Sequence, residues 1–372
     1  MALSGRGTAI FPEEGHEGGR ALVHQEATEE RAAAVLAGSW GITADTLDAV
    51  RSGRVNQTFL AGLGDGSTLV LQLLNPDFLG SPALGENWDA VSRRLLPEGI
   101  ACPALMPDLK GRLLSEGPGW GEVWRLATFV PGRRPEQSAS AAREAARCLG
   151  SCHTALNRPR PVDLIPLPRG EFTNQRLPAA SDFLDFRSLY RLHPSLPLIE
   201  KPLGRGAEEA RMLPGSPAFQ KVFLMKDLAV HLDPKRDNFL ADGSRYALID
   251  WDTVSYGDPL LDLGELCRSF ASSQGNPRFD AETMAQALAG YRETGLDLGE
   301  RHFSLLPAAV RGISVNLARR YLADALLETH FVWDRENYPS LFEQNVSRAG
   351  FLLDLSEELR EREFELMKLI AS

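Results

Sequence analysis

An aspartate and an asparagine five positions apart form the most informative pattern in the sequence. They lie in the segment His231-Leu-Asp-Pro-Lys-Arg-Asp-Asn238. In phosphoryl-transfer sites with this spacing, the Asp accepts the proton of a substrate hydroxyl and the Asn binds magnesium. A second acid, Asp250, follows in Tyr246-Ala-Leu-Ile-Asp250. The pattern therefore predicts Asp233 as general base, with Asn238 and Asp250 as Mg²⁺ ligands.

A short hairpin would bring the two metal ligands together. Residues 239–240 and 246–249 have the composition of strands, and Ala241-Asp-Gly-Ser244 between them contains Asp-Gly, a strong turn signal. A hairpin returns the chain to the end at which it began, although the sequence does not fix the pairing register. Two oxygen ligands at that end suit Mg²⁺, which binds one or two side chains together with phosphates and water. Either half of the pattern alone is equally compatible with an ordinary loop or strand.

Four further polar residues flank these positions. The ammonium of Lys235 could offset charge on the transferred phosphate, and the alternative is a solvated loop lysine. His231 is expected to orient the loop by hydrogen bonding and is not assigned as a base. Asp258 and Asp262 are expected to cap the next helix or brace the loop rather than touch substrate.

Length and composition limit the class of protein. The 372 residues are 43% hydrophobic, which allows two lobes or domains with substantial cores. A formal net charge of −10 argues against a general nucleic-acid binder, whose footprint is basic. The sequence has neither an apolar run of about 18–20 residues, as a membrane span requires, nor a signal-peptide core. We therefore expect a soluble cytoplasmic protein with no membrane or nucleic-acid partner. Structural zinc is not expected, because the four cysteines show no paired C-x-x-C pattern.

The order of predicted elements indicates an α+β protein with two lobes. Residues 1–25 are polar and Gly-rich and are expected to form a flexible tail. Residues 26–130 are expected to form a small antiparallel-sheet N-lobe, and residues 131–372 a larger helical C-lobe. The N-lobe elements are helices at 29–40 and 45–50, a β-hairpin from strands at 55–61 and 67–74, a helix at 86–96 and a strand at 123–129.

The predicted C-lobe places the catalytic hairpin among helices. Residues 130–133 would be the hinge between the lobes, and helices are predicted at 259–270, 281–294 and 305–328. Residues 161–168 and 194–202 are rich in proline and are expected to be surface connectors.

Six sequence blocks, in this order, resemble the aminoglycoside phosphotransferase and choline kinase-like superfamily, and within it the N-acetylhexosamine 1-kinase group. The resemblance runs from about residue 35 to residue 358. The blocks are Gly53-Arg-Val-Asn-Gln-Thr-Phe59, Leu71-Gln-Leu-Leu-Asn75, Trp124-Arg-Leu-Ala-Thr-Phe-Val-Pro-Gly132, the segment 231–238, Leu248-Ile-Asp-Trp-Asp-Thr-Val254 and Arg319-Arg-Tyr-Leu-Ala-Asp324. The resemblance implies a protein-kinase-like fold and MgATP-dependent phosphorylation of a small hydroxylated molecule, most readily a sugar or amino sugar.

The same resemblance implies where the nucleotide binds. Gly53, Asn56 and Thr58 would lie in the loop that approaches the phosphates. Gln72 takes the strand position where most kinases have their phosphate-binding Lys. Glu86, on the following helix, would pair with or orient the nucleotide site, or would be a surface residue; both readings remain open.

The implied substrate contacts are Arg54, Asn174 and Arg320, against the alternative of surface positions. This chain has Arg54 where the hexosamine-kinase pattern has His, and Phe172-Thr-Asn-Gln175 where that pattern has Phe-His-Asn-Thr. These departures leave the exact sugar open. The alternatives are an aminoglycoside, choline or homoserine kinase-like activity, or a pseudokinase that only binds nucleotide. The intact Asp-Asn-Asp set argues against a pseudokinase.

Overall fold

A computed structural model describes a mixed α+β chain in which a small antiparallel sheet precedes a larger helical part. The described residues are 27–50, 56–75, 83–117, 122–166, 176–273, 276 and 278–371. The strands are β1 (Thr46–Val50), β2 (Gln57–Gly62), β3 (Thr68–Leu73), β4 (Leu105–Met106), β5 (Ser115–Glu116), β6 (Val123–Thr128), β7 (Leu228–Val230), β8 (Phe239–Asp242), β9 (Arg245–Leu248) and β10 (Ser255–Gly257). The helices are α1 (Glu29–Trp40), α2 (Ala83–Leu95), α3 (Ala139–Asn157), α4 (Ala180–Leu184), α5 (Phe186–Leu189), α6 (Leu196–Arg211), α7 (Pro217–Leu224), α8 (Pro259–Ala271), α9 (Ala281–Thr294), α10 (Glu300–Phe303), α11 (Leu306–Leu327), α12 (Leu341–Glu361) and α13 (Glu363–Ala371).

The N-terminal sheet has the strand order β1-β2-β3-β6-β4, and β5 pairs with β6. Its centre is the β2–β3 hairpin, in which residues alternate between buried and half-buried positions along both strands. Gly66, with φ of +82°, makes the turn, and the carboxylate of Asp65 accepts the backbone N–H of Ser67 at 2.9 Å. The predicted hairpin is confirmed, as are the helix at 29–40 and the strand near 123–129.

Two predicted elements are wrong, and the first is the short helix at residues 45–50. These residues form edge strand β1, which pairs with β2 so that Thr46 lies opposite Gly62 and Val50 opposite Thr58. The backbone N–H of Asp45 extends the pairing to the carbonyl of Gly62 at 2.8 Å. A helix this short is costly to nucleate, whereas the adjacent strand satisfies the backbone of this segment at once.

The second error is the proline-rich connector at residues 194–202, most of which belongs to α6. Pro197 lies in the first helical turn, where the missing N–H costs nothing. Pro202 lies inside the helix and removes one backbone hydrogen bond. Burial of Ile199 and Leu203 on the packed face compensates, because tertiary packing outweighs local propensity.

Helices α3, α8, α9 and α11 form the core that supports the catalytic segment. Helix α8 is buried along most of its length, and α3 and α9 pack so closely that a Cβ at Gly290 would lie 2.2 Å from the carbonyl oxygen of Arg143. The predicted helices at 259–270, 281–294 and 305–328 are confirmed. Within the described ranges, none of the helices has the length and apolarity that crossing a membrane requires.

Candidate active site

The segment that carries the predicted general base is anchored by Asp262 of helix α8. Both carboxylate oxygens of Asp262 accept backbone N–H groups, from His231 at 2.6 Å and from Leu232 at 2.7 Å. Leu232 has a φ of +68°, a conformation that this double anchor stabilises. His153 lies 2.9 Å from Asp262 through its Nε2. Asp258 caps the first turn of α8, so both predicted structural aspartates are confirmed in that role.

His231 orients the loop. Its ring is fully buried and lies 4.6 Å, centroid to centroid, from that of Trp251. Nδ1 accepts the backbone N–H of Asp233 at 3.2 Å, and Nε2 donates to the carbonyl of Ile249 at 3.0 Å. Burial lowers the pKa of His231, which keeps the ring neutral. Because both nitrogens are engaged with backbone, the predicted orienting role is confirmed.

Asp233, Lys235 and Asn238 form one hydrogen-bonded cluster. The Lys235 ammonium pairs with Oδ2 of Asp233, and Nδ2 of Asn238 donates to the same oxygen at 3.1 Å and to the Asp233 carbonyl at 2.8 Å. Among the described residues nothing donates to Oδ1 of Asp233, so this oxygen remains available to a substrate hydroxyl. Burial alone would lower the pKa of Lys235, but the carboxylates of Asp233, Asp250 and Glu265 together raise it. Lys235 is therefore charged at neutral pH.

The β8–β9 hairpin brings Asn238 and Asp250 to the same end, as predicted. Its register pairs Phe239 with Leu248 around a tight turn at Gly243, which has a φ of +59°. The N–H of the residue before Asp250 donates to the carbonyl of Asn238 at 2.9 Å. The two candidate metal ligands therefore lie at the open end of the hairpin, Asn238 immediately before β8 and Asp250 two residues after β9.

The environment of Asp250 suits a cation. Burial raises its pKa to about 7, Asp252 and Asp233 add to this, and Lys235 and Arg125 oppose it. No side chain or N–H in the described ranges donates to its carboxylate. The side-chain amide of Asn238 donates to Asp233, so the side-chain carbonyl oxygen of Asn238 remains as a second hard oxygen ligand.

These two oxygen donors fit Mg²⁺ better than a metal that needs a complete protein cage. Across the described part of the chain, no group of three or more His, Cys, Asp or Glu residues could hold a metal ion. Mg²⁺ typically takes one or two protein ligands and completes its octahedron with phosphate and water. The metal role of Asn238 and Asp250 stays a prediction that this donor set supports.

A buried arginine that the sequence did not reveal connects the N-terminal sheet to the segment that carries Asp250 and Asp252. Arg125 on β6 lies opposite Gln72 on β3 and is 1% exposed. Its Nε donates to Oε1 of Gln72 at 2.8 Å, and its two Nη groups hold both carboxylate oxygens of Asp252, Nη2 at 3.0 Å. Its guanidinium lies 4.3 Å from the ring centroid of Trp88 on α2. Gln72 in turn donates to Thr58 at 3.0 Å.

Asn56 extends this network to the cavity. Its Nδ2 donates to Oδ2 of Asp252 at 3.1 Å, and its Oδ1 accepts the backbone N–H of Asn75 at 3.0 Å. Glu86 is not part of the network; it is exposed in the first turn of α2. An arginine within the apolar strand 123–128 and the second acid of Ile-Asp-Trp-Asp252 were the signals that could have revealed the link.

Several of the candidate residues line one cavity of about 330 Å³. Of the predicted residues, its lining includes Asn56, Asp233, Lys235, Asp250 and Arg320. The structure therefore brings the candidate base, the lysine beside it, one candidate metal ligand, one candidate nucleotide contact and one candidate substrate contact to the same cavity. Further lining residues that sequence reasoning missed are Arg134, Gln137, Glu265, Arg268, Tyr321, His330, Phe331 and Arg348. The predicted residues Gly53, Arg54 and Asn174 lie outside the described residues.

Comparison with known proteins identifies the family. The model of the phosphotransferase enzyme family, APH, matches residues 46–296, which is more than half of the chain. The chain belongs to this family. It is a phosphotransferase, and the matched range includes Asp233, Lys235, Asn238 and Asp250. No curated protein matches the chain.

Solved structures show the kinase-like fold of this phosphotransferase. An amicoumacin kinase, solved with AMP-PNP, Ca²⁺ and its ligand, has a TM-score of 0.60 at 13% identity and covers 90% of this chain and 94% of its own. A microcompartment-associated aminopropanol kinase has a TM-score of 0.59 at 16% identity, with coverage of 88% and 96%. An aminoglycoside 2′-phosphotransferase in complex with GDP has a TM-score of 0.57 at 14% identity, with coverage of 90% and 99%. At these identities the similarity establishes fold alone, and the N-acetylhexosamine 1-kinase subgroup stays a prediction.

Proposed function

We propose that this phosphotransferase is a kinase that transfers the γ-phosphate of ATP, with Mg²⁺, to a hydroxyl of a small molecule, a sugar or an amino sugar. The observation that carries the proposal is the cluster at Asp233. Lys235 and Asn238 both bind its Oδ2 and leave Oδ1 available, and Asp250 lines the same cavity. A protein that only bound nucleotide would have no use for a carboxylate held through one oxygen with the other left available to a hydroxyl.

In the proposed reaction, Asp233 accepts the proton of the acceptor hydroxyl. The acceptor oxygen bonds to the γ-phosphorus as the bond from that phosphorus to the bridging oxygen breaks, and ADP leaves. Asn238 holds the carboxylate of Asp233 in place, and charged Lys235 offsets negative charge on the transferred group. Asn238 and Asp250 would hold Mg²⁺, which when bound neutralises phosphate charge.

The nucleotide assignment rests on the sheet and on the family. Two of the similar structures contain AMP-PNP and GDP, which supports a nucleoside triphosphate as donor. Asn56 lines the cavity directly. Thr58 and Gln72 use polar atoms on each other and on Arg125, so we propose that they support the nucleotide-binding sheet. We propose no nucleotide contact for exposed Glu86.

The acceptor class rests on the sequence resemblance and on Arg320, which lines the cavity with Asp233. The similar structures are named for amicoumacin, aminopropanol and aminoglycoside acceptors. These names favour a small polyfunctional alcohol and leave the sugar as our more specific proposal.

A coupled assay of ADP release across hexoses, hexosamines, aminoglycosides and amino alcohols tests the proposal. We expect MgATP-dependent ADP release that requires one acceptor class, and loss of that release in Asp233→Asn with MgATP binding retained in calorimetry. Failure of the wild type to bind MgATP would contradict the function. ADP release that no acceptor stimulates would contradict the kinase assignment.

A further inference from the structure

We propose that the acceptor carries an anionic oxyacid group, a carboxylate or a phosphate ester, that Arg320 binds close to the hydroxyl facing Asp233. This inference rests on the proposed kinase function and specifies its substrate class. It follows from the charge pairing in the cavity, from the geometry around Arg320 and from the rigidity of the loop that covers it.

Most cationic side chains of the cavity already have a carboxylate. The pairs are Lys235 with Asp233, Arg134 with Asp237, Arg268 with Glu265, and Arg348 with Asp334 at 3.9 Å. Arg236 donates to Gln137 and interacts electrostatically with Asp237. Arg236 and Arg320 both lack a carboxylate of the described residues within ion-pair distance, but the acid that acts most strongly on Arg320 is the candidate base Asp233. The positive charge of Arg320 is therefore left for a ligand.

The hydrogen bonding of Arg320 leaves most of its donors for that ligand. Its Nη2 donates to Nε2 of His330 at 3.1 Å, and its remaining N–H groups have no acceptor among the described residues. Burial and then the Arg320 charge lower the pKa of His330 to about 4, so this histidine is neutral and cannot compensate the guanidinium. Burial also lowers the pKa of Arg320, and the negative charge of Asp233 raises it. The guanidinium is therefore close enough to the candidate base for the two charges to interact.

The loop over Arg320 is fixed before any ligand binds. The carboxylate of Asp324 accepts three successive backbone N–H groups, from residues 329–331, at 2.9, 2.7 and 3.0 Å. It also accepts Nδ2 of Asn345 at 2.9 Å. Phe331 stacks on Tyr321 with ring centroids 4.1 Å apart. A preorganised guanidinium fork of this kind matches the planar oxygens of a carboxylate or the oxygens of a phosphate.

The acidic residues of the cavity point to the same substrate class. Asp233, Asp237 and Glu265 pair with the cations given above, and Asp252 pairs with Arg125. Asp250 remains, and it is the proposed Mg²⁺ ligand. An amine-bearing acceptor would therefore meet a guanidinium that has no ion-pair partner. The two acids of the described cavity with available oxygens, Asp233 and Asp250, already have the proposed roles of base and metal ligand. Like charges placed together in this way disfavour binding.

Calorimetric titration in the presence of MgADP tests the inference without knowledge of the natural acceptor. The probes are glucose, glucosamine, glucuronate and glucose 6-phosphate, which share a ring and differ in charge. We expect one of the acidic probes to bind at least about 10-fold more tightly than glucose, and glucosamine to bind most weakly. Comparison of glucuronate with glucose 6-phosphate identifies which oxyacid the site accepts.

Substitution of Arg320 tests whether this residue causes the preference for acidic probes. Arg320→Gln should weaken the preferred acidic probe by about 10- to 100-fold, the range of a hydrogen bond to a charged group, and should leave glucose almost unchanged. Arg205→Gln, which alters a pair with Asp354 outside the cavity, is the matched control and should change none of the affinities. Acidic probes that bind no more tightly than glucose, or an acid preference that survives Arg320→Gln, would overturn the inference. MgATP binding and acceptor-dependent ADP release with a neutral or amine-bearing probe would in that case leave the kinase function standing.

Discussion

The buried pair of Arg125 and Asp252 links the N-terminal sheet to the segment that carries Asp250. Replacement of Arg125 by methionine, alone and together with a change at Asp252, should separate the effect of this pair on stability from its effect on nucleotide binding. Arg125 and Asp252 are 1% and 9% exposed, and the guanidinium serves both oxygens of Asp252 and the side chain of Gln72. Removal of one member of a buried, hydrogen-bonded pair leaves an uncompensated charge and costs about 3–5 kcal/mol. Arg125→Met should therefore lower the free energy of unfolding by about that amount.

The double variant with Asp252→Leu should recover much of this loss. A buried ion pair replaced by apolar groups of similar volume is often close to neutral in stability, because the desolvation cost of both charges disappears. Asp252→Leu alone should be destabilising, so the two single effects should sum to more than the double effect by at least about 2 kcal/mol. MgATP affinity should stay reduced in the double variant, because Asn56 also loses its Asp252 partner and the loop bearing Asp250 loses its tie to the sheet.

Urea unfolding followed by tryptophan fluorescence gives the stability terms, and calorimetry gives MgATP affinity for each variant. Arg143→Met is the matched control, since its pair with Glu293 is 41% and 37% exposed and such pairs contribute no more than about 1 kcal/mol. Additive single effects, or full MgATP affinity in the double variant, would refute the assignment of this pair as the link between the sheet and the segment that carries Asp250.

Three further predictions concern the catalytic residues and the acceptor. Asp233→Asn should lower kcat by about 10²–10⁴-fold, the usual contribution of a general base, with little change in MgATP affinity; near-normal turnover would show that another group is the base. Burial raises the pKa of Asp250 to about 7, whereas in the unfolded chain this acid loses its proton near pH 4. Between about pH 4 and pH 7 the nucleotide-free folded state therefore binds the proton more tightly, and the free energy of unfolding falls as the pH rises through this range. In urea unfolding, Asp250→Asn should therefore stabilise the nucleotide-free protein by about 1–3 kcal/mol at pH 8 and hardly at all at pH 4.5. The same substitution should remove the Mg²⁺ dependence of nucleotide binding. An equal gain in stability at both pH values would contradict the assignment of the effect to the ionised Asp250 carboxylate. N-acetylglucosamine and N-acetylgalactosamine should be poor acceptors, and Arg54→His with Thr173→His should raise their kcat/KM relative to the preferred substrate, so efficient wild-type turnover of either sugar would disprove this specificity.

The catalytic hairpin was predictable because its determinants are local. The Asp-Asn spacing, the Asp-Gly turn and the strand-like residues after it all lie between His231 and Asp250. Short-range rules of turn geometry then fix which ends meet. The presence of Gln72 where most kinases have a lysine was also visible. Its partners were not, because Arg125 lies opposite it in the sheet and Asp252, the partner of Arg125, is 127 residues away from Arg125 in the chain.

The errors in secondary structure have the same origin. Residues 45–50 carry no strong local preference, and their strand conformation comes from the pairing with β2. Pro202 is unfavourable within a helix, yet α6 continues through it because its buried face packs on other helices. The surroundings of Arg320 were beyond sequence reasoning for a further reason. They depend on the turn after α11, where Asp324 captures three backbone N–H groups.

The two acids of Ile-Asp-Trp-Asp252 show how one short segment divides structural and chemical work. Asp252 is satisfied by Arg125 and Asn56 and belongs to the connection between sheet and loop. Asp250, two residues earlier and with φ of +66°, has no donor among the described residues and a raised pKa. A carboxylate held in that state is unfavourable in the free protein, and the Mg²⁺ that we propose enters with the nucleotide would relieve it. The same reasoning applies at the other end of the cavity, where Arg320 lacks a carboxylate that an acidic acceptor would supply. We therefore propose that each of these two charges is completed by a ligand of opposite charge, Mg²⁺ at Asp250 and an acidic acceptor at Arg320.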